Sequence, residues 1–347
     1  MVKGTLKRKK KTSEDELPGD DYEAFMACLK PQVKSGLIMS LGGENSKLKV
    51  DAISTGIGSL DKALGVGGLP RGRIVELFGP ESGGKTTLAL QCIAACQKAG
   101  GIVVFLDAEH SLDPVWAGVL GVDTEKLAIA QPDYAEQAYE LVNTLLDSPR
   151  PPDMIVLDSI AAMPTKKEIE GDVEDLQKQI GLQARVNTGN LRKLMPKLSR
   201  AGTVFVIINQ VREKFGGGWS GYGPNETTPG GRAMRHAYSV RMSVRKGEMI
   251  KEGPEFIGNR VKVRIAKNKV AAPFGKTEFP IYYAEGIDIV SDVFMNAVEK
   301  GVVLKKGAWY FYGEEKYQGR KGLIEALKSD QELYQSLADE LDAVEEE

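Results

Sequence analysis

The sequence predicts an α/β protein with a mainly parallel central sheet that is flanked by helices. Short apolar, β-branched segments alternate with segments of helical periodicity between about residues 53 and 210, and a glycine-rich turn joins one such pair. Strands separated by helices of this length form parallel sheets that are covered on both faces. The later segments "SVRMSVRK" and "RVKVRIAKNK" alternate with period two and have no helix between them, which predicts an antiparallel extension at one edge.

The periodicity of each segment gives the order of the elements. Strands are predicted in "GRIVELFG" and at residues 102–107, 153–159 and 203–210. Helices are predicted from the glycine-rich turn to Gly100 and Gly101, at residues 135–148, and from about residue 179 to residue 200.

Both ends of the chain depart from this pattern. Residues 1–20 place a basic block beside an acidic one without apolar periodicity, which predicts a disordered tail. Residues 21–50 combine a helical segment with a short apolar segment at 36–42, which predicts an appendage of one helix and one strand. The predicted core then spans residues 51–284, and residues 285–347 form a small α+β C-terminal domain.

Composition restricts the classes of partner. The chain has 347 residues with 46 basic and 48 acidic side chains and a formal net charge of -2, so a nucleic-acid site must come from local clustering. No run approaches the roughly 18 apolar residues of a membrane span, so no membrane partner is expected. Three cysteines, Cys28, Cys92 and Cys96, and two histidines have no metal-ligand spacing, which is typical of the reducing cytoplasm.

The glycine-rich turn matches a P-loop, a pattern that binds nucleotide phosphates. "GPESGGKTT" is a glycine, four residues and then Gly-Lys-Thr, between a predicted strand and a predicted helix. Glycines let successive backbone N–H groups converge on phosphate oxygens, and the helix N-terminus adds partial positive charge. Lys85 is expected to reach the β and γ phosphates. The predicted phosphate-binding residues are Gly79, Pro80, Glu81, Ser82, Gly83, Gly84, Lys85, Thr86 and Thr87.

Oxygen ligands and carboxylates at strand ends predict the rest of a hydrolytic site. The hydroxyl of Thr86 and the carboxylate of Asp158, which ends "MIVLD", are candidate ligands of Mg²⁺. Asp107 and Glu109 follow another strand at the same carboxyl edge of the sheet, and each is a candidate to activate the attacking water. Spacing favours Glu109 only weakly, because Asp107 still belongs to the strand end.

A polar group and a second glycine-rich stretch follow the strand at residues 203–210. The amide of Gln210 is placed either to sense the γ-phosphate or merely to cap the strand, and the pattern fits both. Residues 212–231 contain seven glycines, two prolines and three aromatic residues, so neither a helix nor a regular strand is expected. Because exposed aromatic residues are costly, we expect this stretch to bind a ligand whose affinity depends on the nucleotide.

Together these motifs resemble the RecA family of homologous recombinases, in its bacterial and phage form. The resemblance rests on "ISTGIGSLDKALGVGGLPRGRIVELFGPESGGKTT", "FLDAEHSLDP", "IVLDS", "INQVREK", "NETTPGG" and "KNKVAAPF", which follow the family's order between about residues 36 and 312. It implies a RecA-type core and a DNA-dependent ATPase that uses ATP and Mg²⁺. It also implies a helical homo-oligomeric filament on single-stranded DNA, which pairs with homologous duplex DNA and exchanges strands in recombinational repair of DNA damage. Recombination mediators are further partners that it implies.

The resemblance assigns roles to residues around the nucleotide. It implies that Glu109 activates the water and that Gln210 senses the γ-phosphate. Asp113 and Trp116 match positions that contact adenine, by a hydrogen bond and by stacking, and Trp116 stands where the family usually has tyrosine.

Further residues correspond to contacts between subunits of the filament. Lys267 and Lys269 match lysines that reach across the filament interface to the neighbour's ATP. Residues 21–50 correspond to the family's polymerisation segment. The C-terminal domain corresponds to the family's duplex-capturing domain, with a basic cluster formed by Lys305, Lys306, Lys316, Arg320 and Lys321.

The resemblance also implies two DNA-binding loops, at about residues 168–185 and 212–231. "DVEDLQK" in the first loop is more acidic than is usual for a loop that contacts phosphate. In the second loop, basic side chains supply charge to the DNA backbone and glycine N–H groups approach phosphate closely. The candidate DNA-binding residues are Arg185, Arg212, Trp219, Tyr222, Glu226, Gly230, Gly231 and Arg235. Arg241 and Arg245, on the following strand, are either additional DNA contacts or solvated side chains of an edge strand.

Two other functions are consistent with a P-loop core. A ring-forming DNA motor or helicase shares the ATPase core, but such motors generally lack "KNKVAAPF" and the N-terminal helix and strand. A non-catalytic paralogue that regulates filaments is disfavoured, because every phosphate-handling position is intact.

Overall fold

The computed structural model of the chain describes residues 21–34, 38, 50–171, 181–213, 226–229 and 231–346. The chain divides into two compact units, residues 1–49 and residues 50–347. In the first unit, helices α1 (Asp21–Cys28) and α2 (Lys30–Lys34) occupy most of the predicted helical segment. The predicted tail and, except for residue 38, the predicted strand at 36–42 lie outside the described residues.

The second unit contains the predicted α/β core and the C-terminal elements. Its helices are α3 (Gly58–Leu64), α4 (Lys85–Lys98), α5 (Pro114–Val119), α6 (Ala135–Leu146), α7 (Lys166–Glu170), α8 (Leu182–Ala201), α9 (Gly231–Ala237), α10 (Ile289–Lys300), α11 (Gly319–Ser329) and α12 (Gln331–Glu346). Its strands are β1 (Ala52–Ile53), β2 (Leu69–Pro70), β3 (Ile74–Gly79), β4 (Val103–Asp107), β5 (Ala128–Ala130), β6 (Met154–Asp158), β7 (Val204–Gln210), β8 (Arg212–Glu213), β9 (Glu226–Thr227), β10 (Val240–Glu252), β11 (Glu255–Asn268), β12 (Lys276–Tyr282), β13 (Gly286–Ile287), β14 (Leu304–Lys306), β15 (Trp309–Tyr312) and β16 (Glu315–Gln318). None of the described helices is long and apolar enough to cross a membrane.

The central sheet has nine strands in the order β13-β12-β11-β10-β3-β7-β6-β4-β5. Neighbouring strands from β10 to β5 are parallel. From β10 to β13, each strand is antiparallel to its neighbour. The predicted mainly parallel sheet with an antiparallel extension at one edge is therefore confirmed, and β14–β16 form a separate antiparallel sheet.

Strand β7 illustrates why the central strands are apolar throughout. Val206 and Ile208 pack into a core cluster shared with α3 and α4, on one face of the sheet. Phe205 and Ile207 pack into a second cluster shared with α6, α8 and α9, on the other face. Because successive side chains of a strand point to opposite faces, a strand covered on both sides needs apolar residues at every position. A third cluster joins α10, α11, α12 and β15.

Arg241 is the main departure from the sequence predictions within the sheet. Its strand, β10, lies between β3 and β11 and is not an edge strand. Arg241 is buried, with 9% of its surface exposed, and it forms an ion pair with Glu76 of β3. Both predicted roles for Arg241, DNA contact and solvated side chain, are therefore wrong.

Candidate functional site

The glycine-rich turn between β3 and α4 is packed tightly against β10. A Cβ atom on Gly79 would lie 2.0 Å from the carbonyl oxygen of Val244, well inside van der Waals contact. Gly84, directly before α4, has a φ of 90°. Only glycine adopts this left-handed conformation readily, so glycine is required at both positions to wrap the turn around the N-terminus of α4.

Lys85, the first residue of α4, is turned into the loop. Its Nζ donates a hydrogen bond of 2.7 Å to the carbonyl oxygen of Pro80. Burial lowers the pKa of the Lys85 ammonium, and the carboxylates of Asp158 and Glu109 oppose that shift. A cation that has lost much of its hydration gains strongly from an anionic ligand, so this position suits a phosphate group.

Thr86 and Asp158 form a pair of oxygen ligands beside Lys85. Thr86 Oγ1 donates to Asp158 Oδ2 at 2.6 Å. Asp158 is almost fully buried, and burial raises the pKa of its carboxyl to about 6, with the charge of Glu109 adding to the shift and the hydrogen bond from Thr86 opposing it. Mg²⁺ prefers one or two protein oxygen ligands completed by phosphate and water oxygens, so these two residues fit a magnesium ion.

Glu109 and Asp107 differ in what their carboxylates contact. Glu109 is exposed, and its Oε1 accepts hydrogen bonds from Ser159 Oγ at 2.5 Å and from Gln210 Nε2 at 3.2 Å. Asp107 is buried and accepts from two backbone N–H groups of the following loop and from the side chain of Gln131. The carboxylate of Asp107 thus holds the loop together, whereas that of Glu109 faces solvent beside the P-loop.

Four adjacent parallel strands bring these groups to one edge of the sheet. Strands β3, β7, β6 and β4 are neighbours in that order. Their carboxyl ends carry, respectively, the P-loop, Gln210, Asp158 and the Asp107–Glu109 segment. Ligands of open α/β sheets bind outside the carboxyl ends of the strands. The residues predicted from the sequence to bind the nucleotide lie at this edge.

The two adenine candidates lie beside the P-loop. Asp113 caps α5, since its Oδ1 accepts from the backbone N–H of Val115 at 2.8 Å and of Trp116 at 3.2 Å. The indole Nε1 of Trp116 donates to Thr87 Oγ1 at 3.4 Å. The aspartate before Pro114 at the first position of the helix is a typical start signal, and here it aims the indole at the start of α4.

Lys267 and Lys269 are not brought to this site. Lys267 Nζ donates to the carbonyl oxygens of Arg235 and, at 2.8 Å, of Tyr238. Lys269 Nζ donates to the carbonyl oxygen of His236 at 2.8 Å. Burial, followed by the charge of Lys269, lowers the pKa of Lys267 to about 8. Both ammonium groups therefore bind the C-terminal end of α9, where carbonyl groups attract cations.

The ends of the second DNA-loop candidate are joined by a short ladder. Strands β8 and β9 pair antiparallel, with Arg212 opposite Thr227 and Glu213 opposite Glu226. Gly231 begins α9, which also carries the half-buried Arg235, and Arg185 is exposed in the first turn of α8. Trp219, Tyr222 and Gly230 lie outside the described residues, as do residues 172–180 of the first loop.

Sequence reasoning missed two features next to the site. Ser159, which binds Glu109, directly follows the predicted metal ligand in "IVLDS" and could have been found by its position at the same strand end. Glu76 stands within the apolar strand "RIVELFG", where an unpaired carboxylate would be costly, and this is the signal that a buried partner exists.

Comparison with known proteins assigns the family. The chain matches the model of the RecA N-terminal domain over residues 22–288 and that of the RecA C-terminal domain over residues 291–344. It is 49% identical over 317 residues to Protein RecA of Thermus aquaticus, which covers 91% of either chain. It is 48% identical over 306 residues to Protein RecA of Chlorobaculum tepidum, or 88% of this chain and 87% of the relative. It is 49% identical over 312 residues to Protein RecA of Rubrobacter xylanophilus, or 90% and 89%.

These matches do not favour the ring-forming motor, and they span both the ATPase core and the C-terminal elements. The chain belongs to the RecA family, and it is a homologous recombinase and DNA-dependent ATPase of that family.

Proposed function

We propose that this recombinase hydrolyses ATP at the carboxyl edge of β3, β7, β6 and β4. The observation that carries the assignment is the convergence there of Lys85, the Thr86–Asp158 pair and the Glu109–Gln210 pair. The P-loop residues 79–87 bind the phosphates of ATP. Asp113 and Trp116 bind adenine, since both lie on the segment that packs against the start of α4.

Each polar group has a distinct task in the proposed reaction. Lys85 binds the β and γ phosphates and neutralises charge on them. Thr86 and Asp158 would hold Mg²⁺, which would supply positive charge to the phosphate oxygens. Glu109 accepts the proton of the attacking water as general base. Ser159 and Gln210 orient its carboxylate, and the Gln210 amide responds to the presence of the γ-phosphate.

Lys267 and Lys269 are proposed to act on the ATP of the neighbouring subunit in a helical filament. To do so, both ammonium groups exchange the α9 carbonyls for phosphate oxygens. The filament uses residues 21–50 as its polymerisation segment and residues 51–284 as the ATPase core. We expect Lys267→Ala to lower ATP turnover while DNA-free nucleotide binding, measured by titration, stays nearly unchanged. A large loss of ATP affinity in dilute protein would contradict a role in the neighbour's site.

Single-stranded DNA is proposed to bind along two loops at about residues 168–185 and 212–231. The ladder between β8 and β9 supports this, because it closes the second loop next to Gln210. The proposed contact residues are Arg185, Arg212, Trp219, Tyr222, Glu226, Gly230, Gly231 and Arg235. A slope of DNA affinity against salt measures how many phosphate contacts form.

Residues 285–347 are proposed to capture the homologous duplex. Lysines lie over aromatic rings of the C-terminal sheet, with Lys316 Nζ 5.3 Å from the ring centroid of Trp309 and Lys306 Nζ 5.5 Å from that of Phe311. Such a basic and aromatic surface suits the phosphate backbone of DNA. Recombination mediators are further proposed partners, and three unpaired cysteines support a cytoplasmic location.

ATP turnover with and without single-stranded DNA tests the proposed site. We expect DNA to stimulate turnover in the wild type and Lys85→Ala to abolish turnover in both conditions. Lys98→Ala is a matched control, because Lys98 is exposed in the last turn of the same helix. Equal loss in both variants, or full activity in Lys85→Ala, would overturn the assignment.

Electron microscopy tests the assembly separately. With single-stranded DNA and a slowly hydrolysed ATP analogue, we expect helical filaments. Closed rings would contradict the proposed assembly.

A further inference from the structure

A buried ion pair lies in the middle of the central sheet. Glu76 of β3 is fully buried, and Arg241 stands directly opposite it on β10, with Nε donating to Oε2. Removing both charges from water opposes folding, and apolar residues of similar size often stabilise such a position equally well. Stability alone therefore does not account for a carboxylate at this position.

The second oxygen of Glu76 holds the end of the nucleotide-sensing strand. Asn209 Nδ2 donates to Glu76 Oε1 at 2.9 Å, and Asn209 directly precedes Gln210 on β7. Asn209 follows the face of Phe205 and Ile207, whereas Gln210 belongs to the opposite face because side chains alternate along a strand. A shift of the backbone at Gln210 therefore moves the adjacent Asn209, whose side chain is bound to Glu76.

The same network binds the loop return, Thr228–Pro229, where the chain leaves the second DNA loop. Asn209 Nδ2 lies 3.4 Å from the carbonyl oxygen of Pro229, and Arg241 Nη2 lies 3.5 Å from Thr228 Oγ1. Thr228 is buried, and both residues directly follow β9. Each of the two groups that bind the Glu76 carboxylate, the Asn209 amide and the Arg241 guanidinium, therefore also contacts the loop return.

Arg241 also reaches the start of the P-loop. Its guanidinium lies 4.5 Å from the ring centroid of Phe78, the residue before Gly79. Cation–π contacts of this kind stabilise a buried guanidinium in one orientation. The ion pair therefore contacts β3, which leads into the P-loop, and also Thr228 of the loop return.

Two buried polar atoms beside the ion pair have unused hydrogen-bonding capacity. Among the residues that the structure describes, Asn209 Oδ1 and the hydroxyl of Tyr238 have no hydrogen-bond partner. Burial raises the pKa of Tyr238 well above its usual value, and the nearby Glu76 charge adds to the shift. A buried polar group without a hydrogen-bond partner destabilises the fold, so a rearrangement that gives these atoms partners gains free energy.

We propose that Glu76 is a positioning residue that couples nucleotide state at Gln210 to the second DNA loop at Thr228–Pro229, through Asn209 and Arg241. The proposal rests on the assignment of ATP and DNA to the two sites above. Glu76 touches neither ligand; it links two chain segments whose positions the two ligands bias. By linkage, ATP then raises the affinity for DNA by the same factor by which DNA raises the affinity for ATP.

The coupling factor is measured as the ratio of oligothymidine dissociation constants with ADP and with a slowly hydrolysed ATP analogue. Allosteric factors are typically about 5–150, and we expect Glu76→Gln to bring the ratio to within about twofold of one. DNA affinity with ADP and DNA-free ADP affinity should stay within about twofold of wild type, because Glu76 contacts neither ligand. A merely structural role would lower the melting temperature and leave the ratio intact.

Thr203→Val is the matched control, because it removes a buried hydrogen bond of 2.7 Å to the carbonyl oxygen of Pro152, beside the end of β7 that is opposite Gln210. We expect this variant to lose stability and to keep the wild-type ratio. If Glu76→Gln does not fold, Asn209→Ser decides the question, with the same expected loss of the ratio. A wild-type ratio retained in the folded variants would overturn the coupling role alone, whereas a ratio of one in the wild type would overturn the proposed function as well.

Discussion

Two aspartates, the buried Asp158 and the half-buried Asp61, have similarly raised pKa values but use their carboxylates differently. Burial raises the pKa of Asp158, at the end of β6, and of Asp61, in α3, to about 6 in each case. Asp61 accepts hydrogen bonds from Ser54 Oγ at 2.6 Å, from Thr55 Oγ1 at 2.6 Å and from the Thr55 backbone N–H at 2.9 Å. Within the described part of the chain, the Asp158 carboxylate accepts one, from Thr86.

Free acceptor capacity, rather than the raised pKa, separates the carboxylate of a functional site from a structural one. A carboxylate has about four acceptor positions, and those of Asp61 are largely filled by the segment that it ties to α3. Asp158 keeps acceptor capacity next to Lys85 and Glu109, so a ligand can complete its coordination. A raised pKa therefore identifies burial, and the unused acceptor capacity identifies the site.

Glu109 and Asp107 are a second pair in which one carboxylate is available to a ligand and the other is held by its own loop. Glu109→Gln should lower the rate of DNA-stimulated ATP hydrolysis by about 10²–10⁴-fold, the usual contribution of a general base. ATP affinity and melting temperature should change little, because Glu109 is exposed. Single-turnover hydrolysis and nucleotide titration measure the two quantities.

Asp107→Asn is the control for this substitution, because Asp107 binds its own loop. We expect it to lower the melting temperature more than Glu109→Gln does and to lower the hydrolysis rate less. The opposite pattern would transfer the role of general base to Asp107.

Stability should respond to Asp61 in a way that activity does not. Asp61→Ala leaves the backbone N–H of the buried Thr55 without its acceptor, whereas the Thr55 hydroxyl keeps the carbonyl oxygen of Ile57, and an unsatisfied group costs roughly 1–3 kcal/mol. We expect urea unfolding to show a loss of about 1–3 kcal/mol while the hydrolysis rate per folded molecule stays near that of wild type. Asp133→Ala, at an exposed position, should leave the unfolding free energy nearly unchanged, and a comparable loss there would remove the contrast.

A smaller effect is expected in the pH dependence of stability without Mg²⁺ or nucleotide. Because the folded pKa of Asp158 is raised, the folded state binds a proton between about pH 4 and pH 6 that the unfolded state releases. The contribution of this bound proton to the free energy of unfolding is complete below pH 4 and is lost as the pH rises to 6. Asp158→Asn does not titrate there. Its free energy of unfolding should therefore rise relative to that of wild type by about 1–2 kcal/mol across that window.

Mg²⁺ with ADP should reduce this advantage for Asp158→Asn, since the ligand favours the ionised carboxylate. The corresponding advantage of Asp61→Asn should not respond to Mg²⁺. If the difference in unfolding free energy between wild type and Asp158→Asn stays constant over the whole pH range, the raised pKa is contradicted.

The sequence was sufficient for most of the sheet because its signals are local. The turn at residues 79–87 lies between a strand and a helix, and parallel strands place their carboxyl ends together, so the meeting of Gln210, Asp158 and Glu109 at one edge was predictable. Helix ends were also predictable, since Gly100 and Gly101 follow α4 as expected.

Tertiary pairing explains what the sequence did not reveal. The alternation in "SVRMSVRK" gives the two faces of β10 but does not identify its neighbour, so Arg241 was predicted to be a side chain of an edge strand. Pairing with β3 places Glu76, 165 residues earlier in the chain, opposite Arg241. The hydrogen bond from Lys267 to the carbonyl oxygen at the end of α9 likewise joins distant segments, and no local motif predicts it.

The role of Asp158 as a magnesium ligand can be measured through the Mg²⁺ dependence of DNA-stimulated ATP turnover, with wild type, Asp158→Asn and Asp61→Asn compared side by side. We predict that Asp158→Asn raises the half-saturating Mg²⁺ concentration by at least about tenfold, on the scale of losses at protein metal sites, and that Asp61→Asn leaves it unchanged. An unchanged Mg²⁺ requirement in Asp158→Asn, or an equal shift in Asp61→Asn, would contradict the account.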